Sequence, residues 1–275
     1  MDKRGLLCVS LVGLLLAHCV PEKLAGGSGA GNPPLAEVTL AFKANSLTDP
    51  SLPKSPIAAL GKASSAVLRN EDGTFTVRDS SGAALILTSI DARVGMIEFD
   101  LPDGIDCGRA EGASCENGEV FIKGAYAMDL MTGKSTPALE KIRLPEGLYK
   151  TVGLELDGSG DAPNMVISGR TDTAKGPVRR FALKLRLPNG LGFEKPEGFR
   201  ITAGVMNTVL MQLEVDNWLQ GVDLASCLDT TSAVPDSSGI RNLEGDGFCG
   251  GAGLRIRRNI EASGEIENEA EEFPK

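Results

Sequence analysis

The sequence predicts an all-β protein, an antiparallel β-sandwich with few short helices. Apolar residues alternate with period two through most of the chain, runs with helical period are scarce, and a strand-ending Leu-Pro-x-Gly turn recurs. Strands soaked on one side only need a second layer over their apolar face. With so little helix to supply that layer, two sheets packed face to face are expected.

The chain opens on MDKRGLLCVSLVGLLLAHC, in which Lys3 and Arg4 precede an almost wholly apolar stretch from Gly5 to Ala17. That is the layout of a secretory signal, too short and wrongly flanked for a spanning helix. Leu16-Ala17-His18-Cys19 resembles the lipobox of bacterial lipoproteins, whose cysteine is cut free and acylated; His18 stands where a smaller residue is usual. Residues 1–18 are therefore read as a lipoprotein-type signal peptide and Cys19 as the lipid attachment site. The alternative is ordinary cleavage with Cys19 left as a thiol. Residues 19–36, rich in Gly, Ser and Pro, read as a flexible tether whose coil spans roughly 20–25 Å. Residues 37–260 form the predicted sandwich, with a division into two lobes near 136–145 left open. Residues 261–275 carry six Glu and one Lys and read as a disordered acidic tail.

Within the domain, Val38, Leu40 and Phe42 alternate with polar or small residues, and Leu148, Val152, Leu154 and Leu156 do so against Tyr149, Thr151, Glu155 and Asp157. Phe181, Leu183, Leu185 and Leu187 interleave with Arg180, Ala182, Lys184 and Arg186. Phe199, Ile201, Ala203 and Val205 follow, then Val209, Met211, Leu213 and Val215. Each reads as a half-buried strand. Between Ile86 and Leu101 the apolar phase flips beside Gly95, which a bulge explains. Helical period is confined to Pro56–Leu68 and Asp216–Leu224. Leu101-Pro-Asp-Gly, Leu144-Pro-Glu-Gly and Leu187-Pro-Asn-Gly fall 43 residues apart. Proline presets φ and glycine permits positive φ, so these are expected to be turns. Because the residues between them do not repeat, recurrent turn chemistry is favoured over propeller blades.

Composition excludes several function classes. The full chain carries 28 Lys+Arg against 37 Asp+Glu; starting at Cys19 lowers these to 26 and 36, a net charge of −10. Neutralising phosphates needs clustered cations, so nucleic acid is not expected as a partner. Electrostatic docking on anionic lipid is disfavoured likewise, which leaves membrane contact to the acyl group. The single histidine, His18, lies before the expected cut. A mature chain without imidazole has no histidine base for a Ser or Cys nucleophile and no histidine ligand for zinc, iron or haem. No cofactor is expected.

Beyond Cys8 and Cys19, four cysteines remain: Cys107, Cys115, Cys227 and Cys249. An even number in an exported chain points to two bridges. The expected pairs are Cys107–Cys115 and Cys227–Cys249, each bracketing a glycine-rich loop; a four-cysteine zinc site is the rival, though no C-x-x-C is present.

Other constellations are weaker. Thr132-Gly133-Lys134-Ser135 looks like the end of a phosphate loop, but Met128 stands where the opening glycine belongs, and a hairpin turn is expected instead. Ser51-Leu-Pro-Lys54 has the S-x-x-K spacing, yet Pro53 and Pro56 disfavour the helix that would bring the pair together. Asp157 and Asp161 are spaced as in calcium loops, with Ala162 and Ser168 departing from the pattern; the loop from Asp236 to Asp246 is a second acidic candidate. Glu98, Asp100, Asp103 and Asp106 cluster near one strand end and could supply two catalytic carboxyls for glycoside hydrolysis. Sugar sites favour aromatic platforms, and apart from phenylalanines only Trp218, Tyr126 and Tyr149 are on offer. Arg180, Lys184 and Arg186 form a basic stripe, expected to pair with Glu214 and Asp216 or with Glu155 and Asp157 on neighbouring strands.

Met128-Asp129-Leu130, Leu144-Pro-Glu-Gly-Leu-Tyr149, Leu154-Glu-Leu-Asp157 and Leu213-Glu-Val-Asp216 make the region from Tyr126 to Asp216 resemble the single domain of a bacterial lipoprotein family of unknown function, and Ser46-Leu-Thr-Asp-Pro50 is similar to that family's early S-L-T-D-x-P stretch, one residue short before the proline. The resemblance implies a β-sandwich on a lipid anchor and carries over no catalytic residue. The resulting expectation is an exported, lipid-anchored protein of the bacterial envelope, at the outer membrane. It would act as a binding or structural module for a protein or glycan ligand, through loops at the sheet ends. The competing class is a histidine-free hydrolase working through carboxylates.

Overall fold

A computed structural model describes residues 33–45, 67–158, 162–172, 177–231 and 233–272. Of these residues 53% are in strands and 13% in helices, so the all-β, sandwich-like class holds. The small sheet runs β15 (Gly264–Glu272), β13 (Val205–Glu214), β1 (Leu35–Asn45), β8 (Ile142–Pro145). The spine of the large sheet runs β12 (Leu191–Ile201), β9 (Gly147–Leu156), β4 (Ala84–Asp100), β10 (Met165–Thr171), β11 (Arg180–Leu185), β14 (Ile240–Glu244). Branching from it are β2 (Leu68–Arg69), β3 (Phe75–Arg78), β5 (Ser114–Glu116), β6 (Glu119–Asp129) and β7 (Lys134–Thr136). Two pairs, β1 with β13 and β11 with β14, are parallel, so the sheets are mixed rather than antiparallel throughout.

β4 organises the large sheet because it is long enough to serve four neighbours. Its buried residues are Leu85 and Leu87, then Ile90, Ala92 and Val94, then Ile97 and Phe99. The phase changes twice, and at each change the pairing register shifts: once opposite Ser168 and Gly169, once between Val94 and Met96. A bulge inserts one residue and so flips the pleat, which keeps the apolar side facing inward as the strand bends. The Gly95 bulge was legible in the sequence; the one at Thr88 was not. Along one edge of β4 lie β10 and then β9, along the other β3 and then β6. Where β9 ends and β10 begins the chain leaves the sheet, and Arg93 bridges the gap. Its N–H donates to the Asn164 carbonyl (2.9 Å) and its carbonyl accepts from the Asp157 N–H (2.8 Å).

The two sheets share one core. Phe42 of β1 meets Phe193 of β12 edge-on, with ring centroids 5.7 Å apart. Tyr149 stacks on Phe199 at 5.8 Å and presents an edge to Phe99 at 6.3 Å. The core continues under Trp218, Leu219 and Leu224 to α1 (Leu224–Thr230) and α2 (Phe248–Glu261). Ala252, Ile256 and Ile260 of α2 are buried at a spacing of four, one face of a helix. Ahead of them Cys249, Gly250 and Gly251 are left-handed, so the regular helix starts late.

Several expectations need correction. The acidic C-terminus is a strand rather than a disordered tail: β15 pairs with β13 from Val205↔Glu272 to Leu213↔Gly264. Ile266 is buried while Glu265 is exposed, so cross-strand pairing overrides a composition poor in strand formers. The first strand starts at Leu35, inside the stretch read as tether. Residues 136–145 mark no lobe boundary, since residues 32–275 form one compact unit. In β9 it is Tyr149 that is buried and Leu148 that is exposed, because the ring completes the aromatic group and its hydroxyl donates to the Pro145 carbonyl at 2.7 Å. Leu101–Gly104 and Leu187–Gly190 are turns with left-handed glycines, whereas Leu144–Gly147 runs from β8 into β9 through a bend at Glu146, with Gly147 outside the left-handed region. The helical run at Asp216–Leu224 is a 3-10 turn (Val215–Asn217) and loop leading into α1. The run at Pro56–Leu68 lies almost wholly outside the described residues.

Candidate functional site

The register across β7, β6, β4, β10, β11 and β14 lines up one row of charged side chains. Lys134 stands opposite Asp129, Asp129 opposite Asp91, Asp91 opposite Val166, Val166 opposite Lys184, and Lys184 opposite Glu244. Arg93 lies two residues along β4 from Asp91, on the same face, with Ala127 and Thr136 as its row partners. Because β9 and β10 part at Arg93, the sheet is open there, and a cleft of about 510 Å³ forms. Its walls are Asp91, Arg93, Asp129, Lys134, Thr136 and Asn164, with apolar surface from Ala92, Met128, Pro163 and Val166.

The walls are held firmly. Asn164 is buried; its Oδ1 accepts from the Leu187 N–H (2.9 Å) and its Nδ2 donates to the Leu187 carbonyl (3.2 Å), which ties the returning loop to β11. Asp129 accepts from the Met131 N–H (2.9 Å), the Thr132 N–H (3.3 Å) and the Thr132 hydroxyl (2.7 Å). Those bonds set the β6–β7 hairpin, and the amides a phosphate would need are engaged within it: the Thr132 N–H by the Asp129 carboxylate, the Gly133 N–H by the Asp129 carbonyl (2.8 Å) and the Lys134 N–H by the Thr132 hydroxyl (3.4 Å). The hairpin reading of that segment therefore stands. Asp91, Arg93 and Lys134 are exposed and make no ion pair among the described residues.

A second cleft of about 450 Å³ lies between the β3–β4 hairpin, the end of β10 and α1. Arg179 and Asp229 of its lining form an ion pair at 2.6 Å.

The residues singled out in the sequence are distributed as follows. Cys107 is joined to Cys115 and Cys227 to Cys249, the pairing expected, with Cα atoms 5.4 and 5.5 Å apart. The second bridge fixes α1 against the left-handed start of α2. Cys19, Ser51, Lys54 and Asp161 lie outside the described residues. Asp157 is exposed at the gap between β9 and β10. Asp236 caps its own loop, accepting from the N–H groups of Ile240 (3.0 Å) first and then Ser238 (2.8 Å), which hold its carboxyl below the usual range. Of the four clustered carboxylates, Glu98 and Asp100 do meet, joined by Glu119 from β6, with oxygens within 4.8 Å of one another. Burial first, then the neighbouring charges of Glu119 and Asp100, raise the Glu98 carboxyl above its ordinary value. Asp103 sits in the turn after β4, and Asp106 caps the 3-10 turn at Cys107–Arg109. The acidic group lies on the sheet face, away from both clefts. Trp218 and Tyr149 are buried, so neither serves as a sugar platform, and Tyr126 is half-buried. The basic stripe on β11 finds Glu244 of β14 beside Lys184, in place of the carboxylates of β13 or β9.

Sequence reasoning missed the cleft. Asp91 and Arg93 could be recognised as the outward residues of β4, but their meeting with Asp129 and Lys134 depends on strand pairing that no local pattern encodes.

Fold and site together define an all-β, disulfide-bonded, sandwich-like protein with a mixed-charge cleft on one sheet face. No family model, no curated protein and no solved structure matches the chain.

Proposed function

We propose that the chain is an exported binding module of the bacterial cell envelope, held at the outer membrane by lipid on Cys19, and that its ligand sits in the cleft lined by Asp91, Arg93, Asp129 and Lys134. One observation carries the binding reading: the exposed charges of Asp91, Arg93 and Lys134, of both signs, are placed around apolar surface on a sheet face and have no ion-pair partner among the described residues. Small-ligand sites have this composition, a few placed polar groups on an apolar surface, and clefts of a few hundred Å³. Two disulfides and the secretory leader support a location outside the cytoplasm. The short motifs shared with the lipoprotein family of unknown function support the same reading. The competing hydrolase would use Glu98, Asp100 and Glu119, which lie on the open sheet face rather than in a cavity that excludes water.

Two measurements test the proposal. Metabolic labelling with a palmitate analogue should mark the parent and leave Cys19→Ala unlabelled; an unlabelled parent overturns the anchor. Amide shifts of the purified exported protein should move at Asp91, Arg93 and Lys134 when envelope peptides or glycan fragments are titrated in. Shifts confined to Glu98, Asp100 and Glu119, with turnover of a glycan, would establish the hydrolase instead.

A further inference from the structure

We infer that the cleft at the β9–β10 gap selects a short peptide-like ligand carrying both a free ammonium and a free carboxylate; this rests on the proposal that the cleft is the binding site.

The cleft carries its charges in two neighbouring rows, the pair Asp91 and Asp129 with Lys134 at its β7 end and then Arg93 one pleat repeat along β4, and the spacing from the acidic pair to Arg93 is what a zwitterion would read. Asp91 and Asp129 face each other directly across the β4–β6 ladder. Directly opposed side chains on an antiparallel pair have Cβ atoms about 5 Å apart, and like charges so placed are unfavourable when nothing lies between them. An ammonium between them would relieve that repulsion and donate hydrogen bonds to both. Asp129 keeps acceptor capacity for this, since its carboxylate meets three donors and has about four lone-pair sites.

The opposite charge is one step away. Arg93 is two residues from Asp91 on the same face, roughly 7 Å along the strand. Its guanidinium offers a fork of donors that fits a carboxylate. Lys134, opposite Asp129 on β7, provides a second cation at the rim. Two extended residues span about 7 Å, the distance between the acidic pair and Arg93. Ala127 and Val166 flank these charges with small or apolar surface, so side chains of modest size are accommodated. A dianion would meet Asp91 and Asp129, and a dication would meet Arg93 and Lys134. The cleft favours neither over a ligand with one charge of each sign.

The probe is L-alanyl-L-alanine, compared with N-acetyl-Ala-Ala and with Ala-Ala-amide, titrated into the purified exported protein and followed by amide shifts and calorimetry. The free dipeptide should bind with shifts at Asp91, Arg93, Asp129 and Lys134, and removing either terminal charge should weaken binding at least tenfold. Asp91→Asn should abolish the preference over the N-acetylated peptide, and Arg93→Gln the preference over the amide. Both positions are exposed, and unchanged melting of each variant separates lost recognition from lost structure. Equal binding of free and capped peptides would overturn the inference while leaving the cleft as the binding site. So would a glycan fragment that shifts the cleft amides when no dipeptide does. If no peptide or glycan shifts the cleft amides, both the inference and the reading on which it rests fall.

Discussion

Asp79 is a buried carboxylate that ties two distant parts of the chain together, and removing one of its oxygens is a sharp test of how the helical layer is held. It follows β3 and is buried. Its Oδ1 accepts from the Ser81 N–H (3.0 Å), the Ser81 hydroxyl (2.7 Å) and the Ala83 N–H (3.0 Å), which closes the β3–β4 hairpin. Its Oδ2 accepts from the Ala225 N–H (2.9 Å) in the first turn of α1, beside a backbone bond from the Ser80 N–H to the Val222 carbonyl (2.9 Å). In Asp79→Asn the amide oxygen can keep the three hairpin bonds, while the NH2 group faces the Ala225 N–H donor to donor. A hydrogen bond to a charged group contributes about 1.5–3 kcal/mol, so this substitution should cost about 2 kcal/mol. At 2–4 °C per kcal/mol for a domain of this size, the melting temperature should fall by about 6 °C. Asp79→Ala, which strips the hairpin as well, should cost about 4 kcal/mol. Hydrogen exchange localises the effect: in Asp79→Asn the Ala225 amide should lose protection while Ala83 keeps it. A loss below about 0.5 kcal/mol, or equal deprotection at both amides, would refute the division of labour between the two oxygens.

Two further outcomes follow from the same reasoning. Gly190 and Gly104 close related turns with φ of +68° and +78°, but a Cβ at Gly190 would lie 2.1 Å from the Leu154 carbonyl oxygen, whereas one at Gly104 meets nothing within 4 Å. Gly104→Ala should therefore cost only the left-handed penalty of about 1–2 kcal/mol, and Gly190→Ala clearly more, as chemical denaturation will measure. Glu214 is pushed up to about 8, by burial first and then by Glu265 and Asp216. The folded state then binds a proton that the unfolded chain has released above the ordinary value of 4.5, so stability falls as pH rises between about 4.5 and 8. Glu214→Gln should flatten that slope and gain about 1 kcal/mol at pH 8, discounted for solvent screening; an unchanged pH profile of melting would count against it.

What could be read from the sequence was local. Period two marked β1, β11 and β13 because each needs only alternation, and the Gly95 bulge was visible because it breaks alternation within one strand. The disulfides were legible because each joins cysteines close in the chain, 8 and 22 residues apart. β15 was missed because Glu265, Glu267 and Glu269 outweigh Ile266 in composition, and its order comes from β13. α2 was missed because Cys249–Gly251 disguise its start, although Ala252, Ile256 and Ile260 do repeat every four residues. The parallel pairing of β1 with β13, and the row from Lys134 to Glu244, join residues far apart in the chain and leave no trace in any short window.

The small sheet draws its four strands from residues 35–45, 142–145, 205–214 and 264–272. A nascent chain therefore carries β1 and β8 without β13, and then β13 without its outer neighbour, until residues 264–272 are made. Such late closure, by pairings far apart in the chain, makes folding slow. It also leaves a naked ladder edge, open to mispairing with another molecule, until the nine residues of β15 seal it.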